Sequence, residues 1–387
     1  MVTYIRNTLI KKGTTCLLRI DLNVESLKDL FRVESVVPTI KFLRKKHVKI
    51  VILSHRGRPH PEGQGILNFK YKVSDEEKKR YTLRPFSNIV SKKIGEKVKF
   101  IDRSDIQEIS EEIRNSKDEV FILENMRFWR EEEMDSMEFG RQLASLGDFY
   151  VNDAFAVSHR ANASVSAITR FLPSYGGLLL EKELENLDTV IHSPKHPFVI
   201  LIGGMKVSDK VGVVKFFWKN ADSFLFGGGA ANTCLAARGA SIGTSLVDEK
   251  AFEEIRPYLA SLKIHLPVDT VNSEGRILDI GQKTISEYTN IIADAKTIIW
   301  SGPMGFFEKK KFSSGTTEMW KTIIKLANKN KKIVIIIGGG ETIASLKLLI
   351  TNYKLPKNIF LSTGGGAMLA YLSGEKLPGI EMLKSQR

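Results

Sequence analysis

The chain has 387 residues, of which 42% are hydrophobic and 26% charged, a length and composition typical of a globular protein with two ordinary domains. Lysine and arginine number 58 against 44 acidic residues, and the resulting net charge of +14 favours anionic partners. The lysines are scattered, however, so we expect no specific nucleic-acid binding. Two cysteines argue against a disulfide framework, and no apolar run is long enough to span a membrane. A cytoplasmic protein is therefore predicted.

In the first half of the chain, four apolar segments rich in β-branched residues lead to polar side chains: TTCLLRID, VKIVILSH, EVFILEN and DFYVNDAF. They are typical of buried strands, and helical patterns such as Val36 to Lys46 lie between them, so a parallel sheet is predicted. Ligands of such sheets bind outside the carboxyl ends of the strands. The polar residues at these ends should therefore converge on one crevice: Asp21, Asn23, His55, Arg56, Arg58, Arg127, His159 and Arg160.

Two further segments are predicted to be connections. The segment from His60 to Arg84 contains prolines, glycines and a charge run, and it is expected to be a long exposed loop. From Gly176 to Ile191, leucines recur on one helical face, which predicts a long helix joining two domains.

In the second half, glycines rather than arginines follow the predicted strands: Gly203-Gly204, Gly227 to Gly229, Gly302 after Ser301, Gly338 to Gly340, and Gly364 to Gly366. Bare backbone at several strand ends suits a nucleotide. In the first of these segments, Lys206 and Lys210 are four residues apart on a predicted helix and would share one face. Together with the glycine turn and the helix N-terminus they predict an anion site, although two solvated surface lysines are the alternative.

This set of residues fits phosphoryl transfer best. Guanidinium groups bind phosphate and carboxylate through paired hydrogen bonds, so four arginines suit a small, multiply charged acid: Arg32, Arg58, Arg127 and Arg160. For any one arginine the alternative is a surface ion pair, and His55 equally fits a core histidine. Transfer to an already ionised oxygen needs positioning and charge neutralisation but no general base.

The ordered motifs of the chain resemble those of phosphoglycerate kinases over nearly its whole length. They are RIDLNV from Arg19, SHRGRP from Ser54, LENMRF from Leu123, NDAF from Asn152, HR from His159, EKEL from Glu181, GGMKVSDK from Gly203, GP from Gly302, GGGET from Gly338 and STGGGA from Ser362. The resemblance implies an α/β fold with two doubly wound, Rossmann-like parallel-sheet domains joined by a helix. The implied domains are residues 1–175 for 3-phosphoglycerate, with the tail 372–387 returning to them, helix 176–191, and residues 192–371 for the nucleotide.

The resemblance also implies the reaction. Members of the family move a phosphoryl group reversibly between 1,3-bisphosphoglycerate and ADP, giving 3-phosphoglycerate and ATP with Mg²⁺ in glycolysis and gluconeogenesis. A cytoplasmic monomer acting on small molecules, without a membrane partner, is expected.

Roles for individual residues follow from the same resemblance. The glycerate would be bound by Asp21, Asn23, His55, Arg58, Arg127 and Arg160. Transfer would involve Arg32, Lys206, Gly364 and Gly365. The nucleotide would be bound by Gly203, Gly204, Lys210, Gly227, Gly228, Ser301, Glu308, Gly338, Gly339, Gly340, Glu341 and Thr342, and Glu341 would also hold the metal.

At five positions the chain departs from the usual family residue. Glu341 replaces an aspartate, Ser301 an asparagine and Asn162 a histidine. Met205 and Phe306 replace smaller residues near the expected base pocket. Two alternatives stay open: a scaffold that binds nucleotide or RNA without turnover, and a kinase for another acyl phosphate or carboxylate. Retention of Arg32 and Lys206 favours an enzyme, and the arginine set favours a phosphorylated glycerate.

Overall fold

The structure is a computed structural model that describes residues 1–24, 26–27, 30–59, 73–349 and 355–384. The chain forms two compact units. Unit 1 comprises residues 1–184 and 376–387, and unit 2 comprises residues 185–375. Residues 385–387 of the predicted returning tail lie outside the described part.

Unit 1 is built on a six-stranded parallel sheet with the strand order β3-β4-β2-β1-β5-β6. The strands are β1 (Thr15–Arg19), β2 (Lys49–Leu53), β3 (Val98–Ile101), β4 (Val120–Leu123), β5 (Phe149–Asn152) and β6 (Ser174–Gly176). Apart from the first residue of each of β1 and β2, strands β1, β2, β4 and β5 are buried along their whole length, as expected for a parallel sheet covered on both faces.

The helices of unit 1 lie between these strands. They are α1 (Phe31–Lys45), α2 (Asp75–Tyr81), α3 (Arg84–Ile94), α4 (Ile106–Asn115), α5 (Arg130–Glu133), α6 (Met137–Ala144) and the start of α7 (Leu178–His192). Short 3-10 turns occur at Ile5–Asn7, Met126–Phe128, Phe155–Val157 and Ala167–Arg170. The last helix of the chain, Pro378–Lys384, also belongs to unit 1 and is labelled α15.

The segment from His60 to Arg84 differs from the predicted exposed loop. Residues 60–72 lie outside the described part, but the charge run after them forms α2. Ser74 accepts a hydrogen bond from the Glu77 amide, while the Glu77 carboxylate accepts one from the Ser74 amide. This capping box satisfies the first free amides of the helix, and it explains why a strongly charged segment is helical.

Successive side chains of each strand point to opposite faces of the sheet, and both faces are covered. Leu18, Ile50 and Ile52 lie in one core cluster with residues of α1 and α3. Val51 and Leu53 lie in another with residues of α4 and α6. The sheet is therefore the middle of three layers.

Unit 2 has a second six-stranded parallel sheet with the order β14-β13-β12-β7-β8-β9. Its strands are β7 (Phe198–Ile202), β8 (Ser223–Phe226), β9 (Ile264–His265), β12 (Thr297–Ser301), β13 (Val334–Gly338) and β14 (Ile359–Leu361). Strands β10 (Thr270–Ser273) and β11 (Arg276–Ile280) form a separate antiparallel ribbon. Ser301 pairs with both Ile202 and Gly338, so three central strands end level with one another.

The helices of unit 2 are α8 (Ser208–Phe217), α9 (Gly228–Ala237), α10 (Phe252–Ile255), α11 (Gln282–Ala293), α12 (Ser314–Lys329), α13 (Gly340–Ser345) and α14 (Gly365–Leu372). Short 3-10 turns occur at Glu249–Ala251, Arg256–Tyr258, Lys310–Phe312 and Leu346–Leu349. In the described part of the chain, no helix has the length and apolar character needed to cross a membrane.

Helix α7 begins in unit 1 and ends in unit 2, with the boundary between Leu184 and Glu185. Its N-terminus is held by Asp153, whose Oδ1 accepts hydrogen bonds from the amides of Leu179 and Leu180 at 2.8 and 3.1 Å. A long helix was predicted from Gly176 to Ile191. It starts two residues later because Gly176 still pairs with Asn152 in the sheet.

Candidate active site

At the carboxyl edge of the sheet in unit 1, residues from separate segments lie together. Strands β4, β2, β1 and β5 are neighbours, so the segments that follow them meet at one edge. Each of these segments carries predicted polar residues: Asp21 and Asn23 after β1, His55 and Arg58 after β2, Arg127 after β4, and His159 and Arg160 after β5. We call these residues, with Arg19 and Arg32, the cationic edge.

Arg32 stands in the first turn of α1 and is anchored by the β1 loop. Its Nη1 donates to Asp21 Oδ2 at 2.6 Å and to the Asn23 carbonyl at 2.9 Å. Asp21 Oδ1 accepts the Asn23 amide at 2.9 Å, and Asn23 Oδ1 accepts the Gly57 amide at 2.8 Å. Asp21 and Asn23 thus orient a cation and join the β1 and β2 loops.

Arg127 is buried although it is charged. Its Nη1 donates to the Gly57 carbonyl at 2.5 Å, and its Nε lies 3.2 Å from Glu133 Oε1. Burial, together with nearby cations including Arg160, lowers the pKa of Arg127 to about 10 despite the opposing effect of Glu133. The pKa of Arg160 is also lowered, first by burial and then by Arg58. Such mutual repulsion is relieved when an anion binds.

His55 is almost fully buried at the end of β2. Burial lowers its pKa well below 6.5, and the surrounding arginines lower it further: Arg127, Arg19, Arg160 and Arg32. The imidazole is therefore neutral at physiological pH. The same edge contains Arg19, the last residue of β1. No individual role was predicted for Arg19, because it belongs to a strand. The one feature that could have indicated a role is a charged residue in an otherwise apolar segment.

In unit 2 the carboxyl edge of the sheet is made of backbone rather than side chains. The amide of Gly203 donates to the Ser301 carbonyl, and that of Gly204 to the Pro303 carbonyl. A Cβ on Gly203 would lie 2.2 Å from the Pro303 oxygen, and one on Gly302, where φ is +92°, would lie 2.1 Å from Gly203 atoms. These two positions therefore require glycine. The loops after β7 and β12 pack backbone against backbone.

The remaining glycine loops lie at the same edge. Gly227 and Gly228 follow β8, and the Gly228 amide donates to the Met304 carbonyl at 2.7 Å. Gly338 and Gly339 lead from β13 into α13, and a Cβ on Gly365 would lie 3.2 Å from Gly339 Cα. Gly364 is the N-cap residue of α14. A Cβ on Gly340 would meet nothing within 4 Å. We call this set of loops the glycine edge.

The two lysines do not share a helix face, so that prediction is wrong. Helix α8 begins only at Ser208, after Lys206. Lys206 is exposed, whereas Lys210 is buried and donates to the Lys206 carbonyl at 2.9 Å. Burial lowers the pKa of Lys210, although Asp209 and Glu341 act in the opposite direction. The start of the helix is delayed because the Gly204 amide is bound to Pro303 and its φ is +72°.

Glu341 and Thr342 lie in the first turn of α13, which begins at Gly340. Glu341 is exposed, whereas Thr342 is buried and its Oγ1 accepts the Gly302 amide at 2.7 Å. Thr342 therefore joins the β12 and β13 loops. Ser301 is buried at the end of β12, and Glu308 is exposed in the turn beyond it.

The other family departures lie in different settings. Met205 and Phe306 expose 46% and 42% of their surfaces. They are large apolar side chains on loops of the glycine edge. Asn162 is buried in unit 1, where its Nδ2 donates to the Glu132 carbonyl at 3.2 Å. Asn162 thereby supports the segment that carries the buried carboxylate of Glu132.

Comparison with known proteins decides the family. A family model described as phosphoglycerate kinase matches residues 7–375. The chain belongs to the phosphoglycerate kinase family. It is 36% identical to a phosphoglycerate kinase of Dictyoglomus turgidum over 97% of this chain and 96% of that protein. It is 38% identical to one of Lactobacillus gasseri over 98% of both.

Solved phosphoglycerate kinases have the same fold. The enzyme of Pyrococcus horikoshii superposes with a TM-score of 0.82 at 29% identity, covering 99% of this chain and 98% of that one. The enzyme of Coxiella burnetii gives 0.78 at 31% identity and covers 99% of both chains. The predictions of the family, of two parallel-sheet α/β domains and of kinase activity are confirmed. The chain is a kinase that transfers a phosphoryl group between phosphoglycerate and a nucleotide, a reaction of glycolysis.

Proposed function

We propose that the cationic edge binds 3-phosphoglycerate and that the glycine edge binds ADP or ATP. One observation carries the first assignment. Each of five arginines acts electrostatically on His55 or on another of the five: Arg19, Arg32, Arg58, Arg127 and Arg160. The acids seen to act on or pair with them, among the residues that the structure describes, are Asp21, Glu132 and Glu133. A ligand with a phosphate and a carboxylate supplies the missing negative charge.

Within this edge the residues have different tasks. Arg58, Arg127 and Arg160 bind the phosphate and carboxylate, because guanidinium groups match both geometrically. Asp21 and Asn23 contact the glycerate and keep Arg32 in place. His55 donates a hydrogen bond as a neutral imidazole.

The transfer step requires charge neutralisation rather than a base. The acceptor carboxylate of 3-phosphoglycerate is already ionised, so no proton has to be removed. Arg32 and Lys206 are the cations that neutralise the phosphoryl group during transfer. The amides of Gly364 and Gly365, at the start of α14, add hydrogen bonds to its oxygens.

The glycine edge suits a nucleotide because its backbone leaves room for a close approach. The loops that would bind it contain Gly203, Gly204, Gly227, Gly228, Ser301, Gly338, Gly339 and Gly340. Lys210 and Thr342 bind the nucleotide phosphates, and Glu308 binds the ribose.

Mg²⁺ fits this edge through Glu341. Glu341 is an exposed carboxylate in the first turn of α13, and it would be the protein's contribution to the metal site. Among the described residues, no group of three or more His, Cys, Asp or Glu side chains could hold a metal. Mg²⁺ commonly binds through one carboxylate, with waters and substrate phosphates completing its shell. When bound, it neutralises charge on the nucleotide phosphates.

The domain boundaries and the setting belong to the same proposal. Residues 1–175 with the tail 372–387 act as the phosphoglycerate domain, residues 176–191, most of which lie in α7, as the connector, and residues 192–371 as the nucleotide domain. The enzyme works as a cytoplasmic monomer without membrane or specific nucleic-acid partners. Size-exclusion chromatography with light scattering tests the monomer, and RNA binding that persists at physiological salt would contradict the last point.

A coupled assay tests the activity. We expect ATP-dependent phosphorylation of 3-phosphoglycerate that requires Mg²⁺. The non-phosphorylated acid glycerate and acetate serve as controls for other carboxylate acceptors. Nucleotide binding without any turnover would favour the scaffold alternative, and preferential turnover of a control acid would favour the other kinase.

A further inference from the structure

A network of buried polar side chains adjoins His55, and no individual task in binding or transfer has been assigned to its members. Arg19 in β1 is 1% exposed. Its Nε donates to Ser164 Oγ at 2.9 Å, and its Nη1 donates to the Ile20 carbonyl at 2.5 Å. Ser164 Oγ donates to Glu132 Oε1 at 2.6 Å, and the other Glu132 oxygen accepts the Ser164 amide at 2.8 Å. The guanidinium is therefore held in one orientation.

The same guanidinium reaches His55. Arg19 Nη2 lies 3.2 Å from His55 Nδ1. A guanidinium has only donors, so His55 Nδ1 must be the acceptor in this contact and must carry a lone pair. In a neutral imidazole the proton is then on Nε2. The direction of this hydrogen bond thus defines the tautomer.

Burial and the surrounding charges keep the His55 ring neutral. Burial lowers the pKa of His55 most, and Arg127, Arg19, Arg160 and Arg32 lower it further. The Asp21 carboxylate is the opposing charge, but its Oδ1 is 3.9 Å from His55 Nδ1 and it already accepts hydrogen bonds from Arg32 and the Asn23 amide. In the described part of the chain, no protein group accepts a hydrogen bond from Nε2.

We propose that Arg19, held by Ser164 and Glu132, is a positioning residue that fixes His55 as the Nε2–H tautomer, so that Nε2 donates to an oxygen of the anionic substrate. The inference rests on the proposed binding of 3-phosphoglycerate at the cationic edge. A neutral donor adds a hydrogen bond to a site already rich in positive charge without adding another charge. It also keeps that hydrogen bond available over the physiological pH range.

The first test is ¹⁵N-histidine NMR of the full chain, since two-bond correlations distinguish both tautomers and the imidazolium. The chain has seven histidines, and His55→Asn identifies the signals of His55 by their loss. We expect the Nε2–H form from about pH 6 to about pH 8, with the Nε2 proton shifting when 3-phosphoglycerate is added. An Nδ1–H or imidazolium form at neutral pH would overturn the inference.

The second test removes the Arg19 guanidinium together with the Glu132 carboxylate. In Arg19→Met with Glu132→Gln, neither partner leaves a buried charge alone. We expect a mixture of tautomers, a rise of about tenfold in KM for 3-phosphoglycerate with a smaller change in kcat, and a KM that becomes pH-dependent as His55 titrates. If this variant does not fold, Ser164→Ala loosens Arg19 with a smaller change. Arg44→Met is the control, because Arg44 is also part-buried in unit 1 but donates to Val48 and Glu96.

A folded variant with the wild-type tautomer and the wild-type pH profile would refute the positioning role. An unshifted His55 proton in the presence of 3-phosphoglycerate, in an enzyme that turns over, would refute donation to the substrate. The absence of any turnover would instead refute the proposed function, because the tautomer is measured without activity.

Discussion

The cationic edge and the glycine edge occupy equivalent positions at the ends of two parallel sheets, but they are built from different materials. The cationic edge consists of long side chains that need support, as in the bonds of Arg32 to Asp21 and of Arg127 to Gly57. The glycine edge consists of backbone loops whose amides bind each other's carbonyls, as between Gly204 and Pro303. A small acid can be recognised by side chains, whereas a long polyphosphate needs room along the backbone.

The largest expected effect comes from removing one cation at each edge. Arg32→Ala and Lys206→Ala should each lower kcat by about 10³-fold while raising KM much less, because their charge acts mainly on the transition state. Steady-state kinetics with both substrates measure this split. Lys215→Ala is the control in α8, since Lys215 is a surface residue paired with Glu254 at 2.6 Å. Equal losses in binding and in turnover would refute this role for Arg32 and Lys206, and a raised KM with an unchanged kcat would assign them to binding alone.

The next effect concerns the backbone of the glycine edge. Gly302→Ala places a Cβ against Gly203 at a positive φ, so we expect a loss of about 3 kcal/mol in stability and weaker ADP binding with normal binding of 3-phosphoglycerate. Urea unfolding and calorimetric titration measure the two quantities. Gly340→Ala is the stability control, because its Cβ would contact nothing within 4 Å. Normal stability of Gly302→Ala would show that the loops can separate.

A third comparison uses one buried carboxylate from each unit. Burial raises the pKa of Asp153 and of Asp279 to about 6, above the usual 3.8. Such a group favours folding below about pH 4 and loses that contribution as the pH rises through about 6. The loss corresponds to about 3 kcal/mol at most for each group.

The two carboxylates differ in their hydrogen bonds. Asp153 Oδ1 accepts both helix amides, so Asp153→Asn retains the cap without the buried charge and should stabilise the enzyme by about 1 to 3 kcal/mol at pH 8. Asp279 uses one oxygen for the Ile280 amide and the other for the Gly315 amide, so Asp279→Asn loses one hydrogen bond as well as the buried charge. It should therefore stabilise the enzyme at pH 8 by about 1 to 3 kcal/mol less than Asp153→Asn does. Hydrogen exchange, resolved by mass spectrometry, measures each unit separately. Parallel effects of the two substitutions would refute the distinction.

The smallest expected effect sharpens the role of Glu341. If its carboxylate holds Mg²⁺, Glu341→Gln should weaken Mg²⁺-dependent ADP binding by about tenfold and spare 3-phosphoglycerate. Glu341→Asp should retain activity with a changed preference between Mg²⁺ and Mn²⁺. ADP titrations with and without metal decide the matter, because an undiminished metal effect in Glu341→Gln would leave Glu341 only as a favourable charge at the start of α13.

Local patterns in the sequence determined much of both edges. Apolar runs ending in Asp21, His55 or Arg127 predicted strands whose ends meet, and runs ending in glycine predicted bare loops. These inferences succeed because strand burial and turn chemistry depend on neighbouring residues.

Only the tertiary structure decided which polar group meets which. Lys206 lies outside α8 because a loop distant in sequence binds Gly204. The helical charge run after residue 72 is not such a case, because its capping box joins Ser74 and Glu77 and is a local pattern. The local pattern places Arg19 in a strand and does not indicate its hydrogen-bond partner, because Ser164 is 145 positions away. A buried hydrogen bond forms between groups that the fold brings together, so its partners follow from the packing of the whole domain and not from the local pattern.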